Sequence, residues 1–186
     1  MFAGSSAGND PRYFELAGRV GRELGRRGLG VVYGGGRAGL MGAVAQGALD
    51  EGGEVIGVIP RSMVDREQAH IALTELHVCE TMHERKAMMA DRVDAFLALP
   101  GGLGTLEEIF EVWTWRQLGF HHKPVGFLNA DGFWTPLLDT LHGIAAAGFL
   151  SADALDDVVV GDDLAAALDG LSRRALPGEE RLRPGL

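Results

Sequence analysis

The chain has very little cysteine, because Cys79 is the only one among its 186 residues. No disulfide can form within such a chain, and a reducing cytoplasm is the simplest setting for it. The first residues, MFAGSSAG, also lack the basic region and the long apolar region of a secretory signal peptide. We therefore expect a cytoplasmic protein.

Long hydrophobic runs and an excess of positive charge are missing as well. No apolar run reaches the roughly 18 residues that a membrane span needs, so we expect no membrane partner. The chain carries 17 Lys and Arg against 26 Asp and Glu, which gives a formal net charge of −9. Its bases form no continuous stripe, and a nucleic acid polymer is therefore not an expected partner.

Glycine, by contrast, is abundant, with 28 residues that lie mostly at turns between periodic apolar segments. Short β-type runs alternate with helical patterns along almost the whole chain. This alternation predicts βαβ units and a doubly wound parallel α/β sheet with helices on both faces. The predicted strands are 1–4, 28–33, 54–59, 75–79, 94–99, 123–128 and 156–160, and the predicted helices lie near 11–27, 39–51, 82–92, 105–118, 133–147 and 162–172.

A chain of this length suits a single domain, which we place at residues 1–174. The remaining residues 175–186, ALPGEERLRPGL, carry two prolines and charges of both signs without periodicity. We expect them to form a flexible tail.

Ligands of such folds bind at the carboxyl ends of the strands, where this chain has three glycine-containing turns. One is GSSAGN, which follows the first predicted strand. The second, GGGRAGLMG, contains GxGxxG, but the strand after it ends in Pro60-Arg61 and not in the acid that a dinucleotide site needs. Two interpretations remain for it: backbone N–H groups and a helix N-terminus that face a phosphate, or glycines that serve strand-helix packing only.

The third turn is PGGLGTLEE, residues 100–108. Thr105 and Glu108 fit a capping box, which would explain Glu108 without chemistry but would leave Glu107 and the three glycines unexplained. The turn lacks the lysine of a triphosphate-binding loop. Two carboxylates suit a sugar carbon that becomes positive better than they suit a phosphate.

The segment TMHERK, residues 81–86, places cations where helix electrostatics disfavours them. Thr81 and Glu84 form a possible capping box, which puts Arg85 and Lys86 in the first turns of a helix. Cations there oppose the helix macrodipole at a cost of about 0.3–1 kcal/mol each. Either an anion lies beside them, or both side chains point into solvent.

Metal chemistry has little support in the sequence. His121 and His122 are adjacent and lack the spacing of metal ligands, so we interpret them as structural. We expect neither a metal nor another cofactor.

Taken together, the motifs GSSAG, YGGGRAGLMG, VIGVIP, MHERKAMM, PGGLGTLEE and EVWTWRQLGFHHKPVGFLN have a characteristic order and spacing. The chain resembles, over roughly residues 1–170, the LONELY GUY family of cytokinin-activating phosphoribohydrolases, whose members were often labelled as possible lysine decarboxylases. The resemblance implies a Rossmann-like fold and a homodimer. The implied reaction hydrolyses the N-glycosidic bond of an N6-substituted adenosine 5′-monophosphate and releases a free cytokinin base and ribose 5-phosphate.

The resemblance also implies a set of site residues. Arg85 and Glu108 match the two catalytic positions. The expected substrate-binding residues are Lys86, Gly101, Gly102, Gly104, Thr105, Glu107, Thr114, Gly34, Gly35, Gly36 and Ser5. In this scheme Glu108 stabilises positive charge at C1′ or activates the attacking water, while Arg85 orients Glu108 or contacts the phosphate or the ribose. The phosphate would lie on N–H groups of the glycine turns and their helices.

Three other functions compete with this one. The first is a broader nucleosidase that acts on AMP and other nucleoside 5′-monophosphates. The second is a nucleotide-binding module without turnover, which would not need both Arg85 and Glu108. The third is a lysine decarboxylase, which would need a lysine Schiff base with pyridoxal phosphate and an acid partner for its ring nitrogen. No motif in the sequence marks that arrangement.

Overall fold

Helices and parallel strands alternate along the chain in a computed structural model, which describes residues 1–65 and 68–175. The strands are β1 (Val31–Tyr33), β2 (Val55–Pro60), β3 (Glu75–Cys79), β4 (Phe96–Ala98), β5 (Val125–Leu128) and β6 (Val159–Gly161). The helices are α1 (Pro11–Arg26), α2 (Gly39–Asp50), α3 (Met82–Asp91), α4 (Leu103–Gln117), α5 (Thr135–Ala146), α6 (Ala152–Asp156) and α7 (Leu164–Arg174).

The contacts of the chain divide it into two compact units, of which the first comprises Met1–Val93 and Gly101–Glu108. Its three strands form a parallel sheet in the order β1-β2-β3. Helix α1 packs closely on α2 because two glycines bring the backbones together: a Cβ at Gly21 would overlap the Val44 carbonyl, and one at Gly47 the Gly18 carbonyl.

The second unit comprises Asp94–Pro100 and the chain from Ile109 onward. Its parallel sheet has the order β4-β5-β6. Phe127 of β5 is fully buried and meets the ring of Trp134 edge to face, with ring centroids 5.4 Å apart. Helix α7 packs on β5 and β6, where a Cβ at Gly161 would overlap the backbone of Ala167.

The predicted α/β class with parallel strands and flanking helices is confirmed. Some local predictions differ from the structure. Within the predicted strand 1–4 only Phe2 makes a bridge, and the helix α6 was not predicted, because its five residues are too few to show a helical period. The predicted tail lies outside the described residues except for Ala175.

In the described part of the chain, no helix is long and apolar enough to span a bilayer.

Candidate active site

Arg85 is a buried cation that backbone carbonyls hold in place. The whole residue is only 5% exposed. Its Nε donates a hydrogen bond to the Val58 carbonyl of β2 at 3.2 Å, and its Nη2 donates to the Gly34 carbonyl at 3.4 Å. A Cβ at position 34 would overlap that Nη2 atom, so the glycine makes room for the guanidinium. The first glycine of the turn after β1 therefore serves to seat Arg85.

The same guanidinium faces Glu108 of α4. Arg85 Nη2 and Glu108 Oε1 lie 3.6 Å apart, and the two side chains are 6% and 12% exposed. This distance is that of an ion pair and is too long for a direct hydrogen bond. Of the tasks that the sequence left open for Arg85, the structure supports holding Glu108, since two carbonyls and this carboxylate already surround it.

The start of α3 sets the positions of both cations. Thr81 and Glu84 form the predicted capping box, in which the Glu84 N–H donates to Thr81 Oγ1 at 3.1 Å and the Thr81 N–H donates to Glu84 Oε2 at 3.3 Å. The helix therefore begins at Met82, and Arg85 is its fourth residue. This fixed beginning determines which carbonyls the Arg85 side chain meets.

Lys86 forms an ion pair with Glu107, the residue that precedes Glu108. Its Nζ donates to Glu107 Oε1 at 2.7 Å, and the two side chains are 11% and 54% exposed. The hypothesis that Arg85 and Lys86 point into solvent is therefore wrong. The opposing helix dipole is compensated by carboxylates of α4, and no bound anion is required to explain these cations.

The glycines of the third turn fall into two kinds. A Cβ at Gly101 would overlap the buried Thr105 hydroxyl and would come within 2.9 Å of the Gly4 nitrogen. At Gly102 and Gly104, by contrast, a Cβ would have no heavy atom of the described chain within 4 Å, and neither glycine has a positive φ. Packing explains Gly101, whereas the other two glycines face open space that a ligand can enter.

The capping-box interpretation of Thr105 and Glu108 is wrong. Helix α4 begins at Leu103, and the Leu106 N–H donates to the Gly102 carbonyl at 3.0 Å. Thr105 is thus the third helical residue and cannot be the N-cap. The pattern Thr105-x-x-Glu108 matches a capping box in sequence, but a sequence pattern does not record where the first helical hydrogen bond forms. Glu108 therefore does not form part of a capping box with Thr105.

The start of α2 is closed by another part of the chain. The N–H groups of Leu40 and Met41 donate to the Gly4 carbonyl at 2.9 and 3.3 Å. A Cβ at Gly39 would overlap the backbone of Ser5. These N–H groups are not available to a phosphate, so the structure favours packing as the reason for the glycine at the start of α2. Ser5 itself is exposed beside this helix start.

The remaining glycines and Thr114 have ordinary structural contacts. Gly35 has a φ of +78° and packs against Ile59, and Gly36 forms an isolated antiparallel bridge with Ala69. Thr114 belongs to the second unit, where its hydroxyl donates to the Phe110 carbonyl at 2.7 Å. Substrate binding by these residues stays a prediction.

His121 has the structural role that the sequence suggested. It is 3% exposed, its Nδ1 accepts from the Lys123 N–H at 3.1 Å, and its Nε2 lies 2.9 Å from the Val112 carbonyl. Since Nδ1 accepts, Nε2 carries the proton and donates to that carbonyl. Burial lowers the pKa of His121 to about 4. Among the described residues no group of three or more His, Cys, Asp or Glu is arranged to hold a metal ion.

Two parts of the site had no signal in the sequence. The Val58 carbonyl accepts a hydrogen bond from Arg85. The Gly4 carbonyl accepts hydrogen bonds from the Leu40 and Met41 N–H groups at the start of α2. Every residue has a carbonyl, so neither role shows in a residue type. Only the register of β2 and the path of the first turn reveal them.

Comparison with known proteins finds a matching family model, similar sequences and solved structures with the same fold. The model of a family described as "Possible lysine decarboxylase" matches residues 41–171. A cytokinin riboside 5′-monophosphate phosphoribohydrolase of Rhodococcoides fascians is 48% identical over 90% of this chain and 85% of its own. One from Arabidopsis thaliana is 49% identical over 81% of this chain and 70% of its own. A solved structure, the molybdenum cofactor carrier protein of Chlamydomonas reinhardtii, has a TM-score of 0.68 at 21% identity and covers 92% of this chain and 93% of its own, which shows a common fold.

Proposed function

The chain belongs to the family of cytokinin riboside 5′-monophosphate phosphoribohydrolases, and from that premise we propose that it hydrolyses the N-glycosidic bond of N6-substituted adenosine 5′-monophosphates. The products are a free cytokinin base and ribose 5-phosphate. The observation that carries the proposal is the buried pair of Arg85 and Glu108 beside a glycine turn that opens to solvent at Gly102 and Gly104.

Glu108 supplies the negative charge that this reaction needs. As the bond between C1′ and the base nitrogen breaks, the sugar becomes oxocarbenium-like, and a carboxylate beside C1′ stabilises it or takes a proton from the attacking water. The water oxygen bonds to C1′, and the proton that this water loses ends on the nitrogen of the leaving base. Arg85 holds the Glu108 carboxylate in position, 3.6 Å away.

The 5′-phosphate lies at the start of α4 in this proposal. The first N–H groups of any α-helix have no intrahelical partner and favour an anion. Here they follow Gly102, where open space adjoins the helix start. Phosphate and Glu108 therefore act at opposite ends of one ribose, which keeps the two negative groups apart.

The other predicted binding residues complete the proposed site. Glu107 is 54% exposed although it pairs with Lys86, so it can reach a ribose hydroxyl. Thr105 and Gly101 shape the turn through their mutual contact. We keep Ser5, Gly34, Gly35, Gly36 and Thr114 as proposed substrate contacts.

Hydrolysis needs only water, and we propose that the chain uses no metal or other cofactor. Lysine decarboxylation through pyridoxal phosphate would need a lysine for the Schiff base. The chain has two lysines, of which Lys86 pairs with Glu107 at 2.7 Å. We expect activity that resists a metal chelator and does not depend on pyridoxal phosphate. Loss of activity that added metal restores would contradict this part of the proposal.

We further propose that the chain is a cytoplasmic homodimer. Its single cysteine suits a reducing compartment. Several large apolar side chains of the second unit are exposed, namely Leu118, Phe120 and Phe149 at 63%, 50% and 88%. Exposed apolar side chains are typical of subunit interfaces. Light scattering on purified protein should give twice the mass of one chain.

The experiment that tests the function compares three nucleotides without added metal. Isopentenyladenosine 5′-monophosphate, its dephosphorylated riboside and AMP are incubated with purified protein, and free base is measured by chromatography. We expect base from the monophosphate and not from the riboside. Comparable specificity constants for AMP would favour the broader nucleosidase. No base from any of the three would favour a nucleotide-binding module.

A further inference from the structure

The acids and bases of the candidate site balance each other. Arg85 pairs with Glu108, and Lys86 pairs with Glu107. A phosphate monoester carries a charge of about −1.5 to −2 at neutral pH. These two ion pairs therefore contribute no net positive charge to such a ligand, and a further cation is needed at the site.

Helix dipoles supply only part of that charge. At the start of α2, the N–H groups of Leu40 and Met41 are bonded to the Gly4 carbonyl. The start of α1 is capped by Asp10, which accepts from the Arg12 N–H at 2.9 Å. Of the three helix starts that follow glycine turns, this leaves the one of α4 for the phosphate. A helix N-terminus is equivalent to roughly half a positive charge, which does not neutralise a dianion.

Arg37 is a cation in the glycine turn that seats Arg85. It lies between Gly34, which touches Arg85, and Gly39, which abuts Ser5. Its backbone is fixed, because its N–H donates to the Gln68 carbonyl at 3.2 Å and its own carbonyl packs directly against Gly42. Its side chain is exposed and makes no hydrogen bond or ion pair with residues 1–65 or 68–175.

The groups that the structure describes around Arg37 do not neutralise its positive charge. His70 is buried, and its N–H donates to the Gly35 carbonyl at 2.9 Å, so its segment runs along the same glycine turn. The pKa of His70 is lowered, first by burial and then by the positive charge of Arg37. The neighbouring imidazole is therefore neutral at pH 7, and no carboxylate neutralises Arg37 from within the described chain.

We propose that Arg37 binds the 5′-phosphate of the nucleotide and supplies the positive charge that the two balanced ion pairs do not. This inference rests on the proposed function and names a substrate-binding residue for the same site. Arginine suits the task because its planar guanidinium can donate two parallel hydrogen bonds to phosphate oxygens. Arg37 distinguishes the monophosphate from the riboside, whereas Arg85 holds the acid.

The test uses Arg37→Gln and Arg37→Lys, with Arg19→Gln as the matched control. Arg19 is also an exposed arginine of the first unit, and it lies on α1. For isopentenyladenosine 5′-monophosphate, we expect Arg37→Gln to raise KM about tenfold or more with little change in kcat, since a charge-assisted hydrogen bond to phosphate is lost. Arg37→Lys should recover part of this loss, and Arg19→Gln should behave as the unaltered protein.

Calorimetric binding of ribose 5-phosphate provides a readout that does not depend on turnover. We expect Arg37→Gln to weaken this binding by the same factor as it raises KM. Equal affinity in the unaltered and Arg37→Gln proteins would overturn the role of Arg37, even if the protein is an active hydrolase. Failure of the unaltered protein to release base, with ribose 5-phosphate binding weakened by Arg37→Gln, would instead overturn the proposed function and leave the phosphate contact standing.

Discussion

At the scale of single residues, Glu108 is the side chain on which the proposed chemistry depends. Glu108→Gln keeps the size of the side chain and removes its charge, so the oxocarbenium-like state loses its stabilising carboxylate. We expect kcat to fall about 10²-fold or more, as is typical for the loss of an acid-base group, while the fold persists. Circular dichroism and steady-state kinetics measure both.

The matched control for this change is Glu15→Gln, because Glu15 is an exposed acid on α1 of the same unit. It should leave kcat unchanged. Turnover of the Glu108→Gln protein at the unaltered rate would remove Glu108 from the mechanism.

The glycines of the third turn give a second prediction at this scale. Gly104→Ala introduces a methyl group into open space in the first turn of α4, where alanine favours the helix by up to about 1 kcal/mol. We expect Tm to be unchanged or higher, but KM for the nucleotide to rise because the methyl group occupies space left for the ligand.

Gly101→Ala is the contrasting variant, because its Cβ would overlap the Thr105 hydroxyl. It should lower Tm as well as activity. Thermal unfolding and KM are measured for both proteins. A Gly104→Ala protein with unaltered KM would show that no ligand approaches this glycine.

At the scale of elements, the capping box of α3 determines where Arg85 and Lys86 lie. Thr81→Ala removes the acceptor of the Glu84 N–H, a loss typically worth about 1 kcal/mol of stability. Because the cap fixes the start of α3, we expect kcat/KM to fall as well. Denaturant unfolding and kinetics are compared for the same preparation.

Ser151→Ala serves as the control, since Ser151 caps α6 in the second unit by accepting from the Ala154 N–H. It should reduce stability without a comparable effect on kcat/KM. Equal kinetic effects of the two variants would indicate that capping acts on activity only through global stability.

The elements themselves were largely predictable, whereas their exact starts and contacts were not. Alternating apolar runs and helical periods located β2 and α3 within one or two residues. The start of α4 was misplaced because Thr105-x-x-Glu108 looks like a cap, although the chain already turns into a helix at Leu103. The hydrogen-bond partner of Arg85 was not predictable from the sequence, because it is a carbonyl of β2 that long-range strand pairing brings into place.

At the scale of the whole molecule, His121 should link stability to pH. Its pKa is lowered by burial to about 4 in the folded protein, from 6.5 in the unfolded chain. Between these values the unfolded chain binds a proton that folded His121 does not, so stability is full above pH 6.5 and falls as the pH approaches 4. The loss amounts to at most about 3 kcal/mol.

His121→Gln tests this linkage, because glutamine can still donate to the Val112 carbonyl but does not titrate. Its free energy of unfolding should depend less steeply on pH between about 4 and 6.5 than that of the unaltered protein. Parallel curves for the two proteins would contradict the assignment.

The boundary of a single domain at residues 1–174 stays a prediction at this scale.

The most direct test of the central claim is the product balance from isopentenyladenosine 5′-monophosphate. Purified protein is incubated with the nucleotide, and free base, ribose 5-phosphate, riboside and inorganic phosphate are all quantified. Cleavage at C1′ predicts equal amounts of free base and ribose 5-phosphate, with neither riboside nor inorganic phosphate formed. Riboside together with inorganic phosphate, or an unchanged nucleotide, would contradict the account.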